Sequence, residues 1–88
     1  RLTMTDADPD DVAEGWNNLG NALDELNIID SAILCYETAL GIYDDLSDDP
    51  GKATVFTNLG DTYKHNEDYA KALEYLKKAE NIRLALDD

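Results

Sequence analysis

The octapeptide Trp16-Asn17-Asn18-Leu19-Gly20-Asn21-Ala22-Leu23 has a counterpart forty residues further on, Phe56-Thr57-Asn58-Leu59-Gly60-Asp61-Thr62-Tyr63. Aromatic stands over aromatic, and Asn-Leu-Gly over Asn-Leu-Gly. The same shift carries Ala13 onto Ala53, Ala32 onto Ala72, Ala39 onto Ala79, Ile42 onto Ile82 and Leu46 onto Leu86. A fixed period in this range marks a repeat architecture, in which each unit buries its apolar face against the next.

The units are helical. Val12, Trp16, Leu19, Leu23 and Leu26 step by four and three residues, the spacing of one helix face. Asp8-Pro9-Asp10-Asp11 suits a helix start: a capping Asp, then Pro where its missing N–H is harmless, then acids at the positive helix end. Asn27 tolerates the left-handed conformation that stops a helix. A second stripe runs from Ile29 through Ala32, Tyr36 and Ala39 to Leu46, opened by Asp30 or Ser31 and closed by the turn cluster Ser47-Asp48-Asp49-Pro50-Gly51. Phe56, Leu59 and Tyr63 form a third, broken by His65-Asn66-Glu67-Asp68, and Tyr69, Ala72, Leu76, Ala79 and Ile82 a fourth. Helices are therefore predicted at about 9–26, 30–46, 52–65 and 68–86, with no sheet. The chain divides into a lead-in over 1–12 that could end a preceding repeat, a first repeat over 13–46, a turn over 47–52 and a second repeat over 53–88.

Trp16-x2-Leu19-Gly20-x2-Leu23 with Ala32-x3-Tyr36 and Ala39, and Phe56-x2-Leu59-Gly60-x2-Tyr63 with Ala72, Leu76 and Ala79, resemble the tetratricopeptide repeat. The resemblance implies an all-α fold, in which antiparallel helix–turn–helix hairpins make a short α-solenoid of two motifs. The spacing of forty exceeds the family's usual thirty-four, as in the extended subclass. The usual proline after the second helix is missing at Asp44, and Pro50 comes six residues later. Gly20 and Gly60, mid-helix glycines at matching places, are predicted to allow close approach of the paired helix at Ala32 and Ala72.

The formal net charge is −13 and is uneven: residues 1–50 carry −12 and residues 51–88 carry −1. Such a surface repels nucleic acid and anionic membrane, which need Lys and Arg to displace counterions. The acids either keep a small domain soluble or select a basic partner. No apolar run is long enough for a membrane span, and Cys35 is the one cysteine. A cytoplasmic location is expected on these grounds, and a chain beginning at Arg1 is expected to be a segment of a longer protein.

The resemblance assigns a concave groove that binds a protein or peptide segment. It places Glu14, Asn17, Asn21, Asp24 and Glu25 of the first repeat there, and Thr54, Thr57, Asp61, Lys64 and His65 of the second. Asn18 and Asn58, beside Leu-Gly, either form a ladder that bonds a ligand backbone or bond within the repeat. Family members that clamp carboxylates carry lysine where Asn17 stands, and a carboxylate here would meet Asp24 and Glu25, so that clamp is excluded. The alternative function is structural: a solenoid segment that stacks on neighbouring repeats, or self-associates weakly through an uncapped C-terminal face near Tyr75, Leu76, Ala79 and Ile82.

No catalytic, cofactor or metal site is predicted. Cys35 and His65 are single, with no partnering base, and read as a small buried residue and a solvated helix-end residue. Asp6-x-Asp8-x-Asp10 imitates a calcium loop but has Asp11 where the loop needs Gly and Asn17 where it needs Glu.

Overall fold

The computed structural model describes residues 8–87. Four helices follow one another: α1 (Pro9–Glu25), α2 (Ile29–Asp45), α3 (Asp49–His65) and α4 (Tyr69–Asp87). The described residues hold no strand. The first three helices are each 17 residues long, and each is followed by the same three-residue turn. Asn27, Ser47 and Glu67 sit there at φ 64°, 54° and 63°. The following N–H groups of Ile28, Asp48 and Asp68 return to the carbonyls of Leu23, Tyr43 and Tyr63. These are Schellman closures, which satisfy carbonyls left open at a helix end. Asn27 stops α1 as predicted; Ser47 and Glu67 do the same work without a residue type that favours it.

The helix starts differ from the sequence reading in instructive ways. Asp8 occupies the capping position of α1, yet its side chain makes no capping bond. α2 begins at Ile29, one residue early, with Ile28 at the cap. α3 begins at Asp49, so the turn expected over 47–52 shrinks and Asp49-Pro50-Gly51 becomes the first helical turn. The reason is local: Pro is tolerated in that first turn, and the Asp48 carboxylate accepts from the Gly51 N–H at 3.0 Å. Asp68 likewise accepts from Lys71 N–H at 3.3 Å. The lead-in expected over 1–12 lies outside the described residues up to residue 7, and its remainder belongs to α1 and its cap.

Packing runs in a row. α1 lies on α2 and α3 on α4, α2 joins the two hairpins through α3, and α1 touches α3 lightly. The result is a slab of 47 × 37 × 15 Å. Its core lies at the α2–α3 junction, where Tyr36, Val55, Leu59 and Thr62 are fully buried. Ala13, Ala32, Ala39 and Ala79 fill the narrow hairpin seams. Of the predicted stripe of α1, Leu23 packs against the core, while Val12 and Leu26 are exposed. Ala13, Asn17 and Gly20 are the buried residues of α1, while Trp16 and Leu19 are exposed. Leu59 is 0% exposed because α2 covers it; its repeat mate Leu19 is 47% exposed, since among the described residues no helix precedes α1.

The glycines admit larger groups than predicted. A Cβ on Gly20 would lie 2.6 Å from Tyr36 Cε1, and one on Gly60 would lie 2.6 Å from Leu76 Cγ and 3.2 Å from the Ala72 carbonyl. The close approach is real, but residues 36 and 76 occupy it, one turn beyond the alanines. In the second hairpin Tyr75 stacks between Phe56 (5.9 Å) and Tyr63 (5.5 Å). Of the C-terminal face expected to be partly uncovered, Tyr75, Leu76 and Ile82 are half-buried and Ala79 is fully buried; Tyr69, Leu73, Leu84 and Leu86 are the exposed large apolar residues of α4.

Candidate functional site

The first helices of the two hairpins, α1 and α3, lie side by side, and their seam is polar. Asn58 Nδ2 donates to Asn17 Oδ1 at 3.0 Å, joining residues one repeat apart. Further along, His65 Nδ1 lies 3.0 Å from Asp24 Oδ2. Between them the Tyr36 hydroxyl, rising from α2, donates to Asn21 Oδ1 at 2.6 Å. Asn17 is buried, so its amide needs that partner. Burial raises the Tyr36 phenol above its ordinary value of 10.0; the Thr62 hydroxyl opposes this, and the carboxylates of Asp24 and Asp61 add to it.

The seam thus gathers Asn17, Asn21, Asp24, Asn58 and His65 into one line, with Asp61 close enough to act on Tyr36. The remaining residues assigned to the groove are not part of this hydrogen-bonded line. Thr57 accepts from Arg83 Nη2 at 2.8 Å and so engages α4. Asn18, Glu25 and Lys64 are exposed. The two asparagines beside Leu-Gly have diverged: Asn58 bonds across to the preceding repeat, whereas Asn18 is exposed. The resemblance missed Tyr36 as a polar member of this face. A buried tyrosine needs a hydrogen-bond partner for its hydroxyl, and that requirement was legible in the sequence, although its partner was not.

The seam is a surface, not a pocket. Two depressions lie away from it: about 250 Å³ lined by Val12, Gly15, Trp16 and Leu19, and about 340 Å³ at the α2–α3 junction beside Lys52 and Phe56. An open polar strip along two helices suits a length of chain better than a small molecule, which prefers an enclosing apolar cleft. Two polar atoms in this region are buried without a hydrogen bond, Asp24 Oδ1 and Thr62 Oγ1. Cys35 is buried and unpaired. No group of three or more His, Cys, Asp or Glu residues that could hold a metal occurs among the described residues, and none of their helices is long and apolar enough to cross a membrane.

Stacked antiparallel hairpins with a polar face along their first helices define a helical-repeat scaffold. A family model described as tetratricopeptide repeat matches residues 11–85. The chain belongs to the tetratricopeptide repeat family, whose members are generally protein–protein interaction modules and typically non-catalytic. Comparisons with curated proteins and with solved structures gave no match.

Proposed function

We propose that the α1–α3 face binds an extended, basic segment of a partner protein. One observation carries this reading: the amide oxygens of Asn17 and Asn21 are already engaged within the chain, and the exposed charged side chains of α1 are all acidic. Asn17 and Asn58 bond each other and Asn21 holds Tyr36. Glu14 and Glu25 are exposed, the Asp24 side chain is 11% exposed with one oxygen on His65 and the other buried, and α1 carries no Lys or Arg. Charge, not an amide ladder, then selects the ligand. Exposed carboxylates along a helix speed encounter with basic chains and repel acidic ones. Lys64 and His65 lie at one end of the face, so the basic part of the segment would lie over the first repeat.

The test is a fluorescence-anisotropy titration with basic, neutral and acidic peptides at low and moderate salt. Basic peptides should bind best, bind less as salt rises, and bind less to Asp24→Asn/Glu25→Gln. Equal binding of basic and acidic peptides, or no effect of the double substitution, would return the acids to a role in solubility. A second reading, a purely structural solenoid segment, is favoured by the uncovered apolar residues at both ends of the row.

A further inference from the structure

We propose that copies of this chain stack head to tail, α4 of one copy against α1 of the next. The argument begins with the joint the chain already contains. α2 and α3 meet across the boundary between repeats, and four residue pairs register the two units. Asp44 bonds Lys52 at 2.9 Å. The Tyr43 ring lies where a Cβ on Gly51 would stand, 2.5 Å from Cδ1. Asn17 bonds Asn58, and Asp24 meets His65.

Moving each pair on by the repeat period gives the residues that would meet if a second copy continued the row. Asp44 becomes Leu84 and Lys52 becomes Val12 of the next copy: the ion pair turns into an apolar contact, and both residues are exposed here, at 61% and 39%. Tyr43 becomes Arg83 and Gly51 becomes Asp11, so a ring over a bare backbone turns into a guanidinium beside a carboxylate. Asn17 becomes Thr57 and Asn58 becomes Asn18, a hydroxyl with a free lone pair facing an amide. Asp24 becomes Lys64 and His65 becomes Glu25, opposite charges in reversed order. In three of the four pairs both members change, in the fourth Asn18 stands where Asn58 did, and each new pair is again complementary. At the same junction Leu40 and Phe56 become Glu80 and Trp16, a carboxylate near an indole, so the complementarity belongs to the four registering pairs and not to the whole seam.

Two further observations agree. The depression lined by Val12, Trp16 and Leu19 occupies on α1 the place that α3 turns toward α2. The helices at the two ends also differ in charge. α1 bears Asp10, Asp11, Glu14, Asp24 and Glu25 without a base, while α4 bears Lys71, Lys77, Lys78 and Arg83 against Glu74, Glu80 and Asp87. The net charge of −13 opposes association at low ionic strength, and physiological salt screens that repulsion beyond about 8 Å while sparing the close pairs. Because the two surfaces differ, the contact is heterologous and the row stays open.

Sedimentation equilibrium over a concentration series in physiological salt reads the prediction directly. The weight-average mass should climb past that of a dimer. Asp11→Arg and Arg83→Asp should each weaken association about tenfold. Mixing the two variants should restore one joint, and the chain carrying both should associate like the parent. Circular dichroism confirms that the variants remain helical. A cross-linking arm does not depend on charge. A short bismaleimide should join Val12→Cys chains to Leu84→Cys chains in mixture and leave either variant alone uncoupled, Cys35 being buried. A monomer at every concentration up to about 1 mM would overturn the proposal. So would a mass that stops at dimer, or Val12→Cys chains that couple to themselves, since both describe a symmetric contact.

Discussion

Gly20→Ala is the substitution that separates helix propensity from packing. Propensity favours it by about 1 kcal/mol, since Gly is the poorer helix former. Packing opposes it. The new Cβ would stand 2.6 Å from Tyr36 Cε1 and 2.8 Å from Cδ1, where carbon atoms ordinarily keep about 3.5–4.0 Å. The ring must move by about 1 Å to restore that spacing. Tyr36 is 1% exposed, and its hydroxyl is held by Asn21 at 2.6 Å. Overpacking of this kind costs about 1–3 kcal/mol, and loosening the Tyr36–Asn21 bond about 0.5–1.5 kcal/mol more. The net expectation is destabilisation by about 1–3 kcal/mol, a fall in Tm of roughly 5–20 °C for a domain this size. Gly41→Ala is the control: nothing lies within 4 Å of its Cβ, so it should stabilise by about 0.5–1 kcal/mol. Thermal melts followed at 222 nm at low protein concentration measure both. In a Tyr36→Leu background, which copies the pairing at Leu76, Gly20→Ala should cost less. If Gly20→Ala melts at or above the parent, as Gly41→Ala should, Tyr36 yields freely and close approach does not explain the glycine.

Two further outcomes follow from other parts of the chain. Glu67→Gly should stabilise by about 0.5–1 kcal/mol in urea unfolding, because a side chain at φ 63° costs about 1–2 kcal/mol and glycine returns part of that gain as unfolded-state entropy; Asn27→Gly should gain less, and a loss at Glu67 would refute the strain account. Burial raises the phenols of Tyr36, Tyr43, Tyr63 and Tyr75 above 10.0, so the folded state keeps protons that the unfolded state releases, and unfolding free energy should be level below pH 10 and fall as pH rises beyond it; a flat profile through that window would contradict the burial of these rings.

The helices and their pairing were legible because the evidence for them is periodic. Steps of three and four at Ala32, Tyr36 and Ala39 leave little choice, and the forty-residue shift names the unit. Where α3 begins was not legible, because Asp49-Pro50-Gly51 is as good a turn as a first helical turn. The cap on Gly51 by Asp48 decides between them, and that is a three-dimensional fact. Ser47 and Glu67 give no sign of a left-handed backbone; the tertiary requirement to turn there overrides their preference. For the candidate site, the resemblance put Asn17, Asn58, Asp24 and His65 on one face without indicating who bonds whom. The offset that joins them depends on how far one hairpin is rotated on the next, which no residue spells out. Trp16 and Leu19 were visible as an apolar stripe, but a stripe does not say which neighbour covers it, and here none of the described residues does.

The row of helices described above also governs how the chain acquires and loses its structure. Among the described residues, α4 meets neither α1 nor α2, so almost every contact closes a loop of one helix and one turn. Short loops lose little entropy on closing, and chains dominated by such local contacts fold in microseconds to milliseconds. The same locality sets the order of opening. α2 and α3 each have a helix on both sides, whereas α1 and α4 each have one chief neighbour and can peel away without disturbing the far end. Amide exchange should therefore be slowest at Tyr36, Val55 and Leu59 and quicken toward both termini, with the molecule yielding from its edges inward.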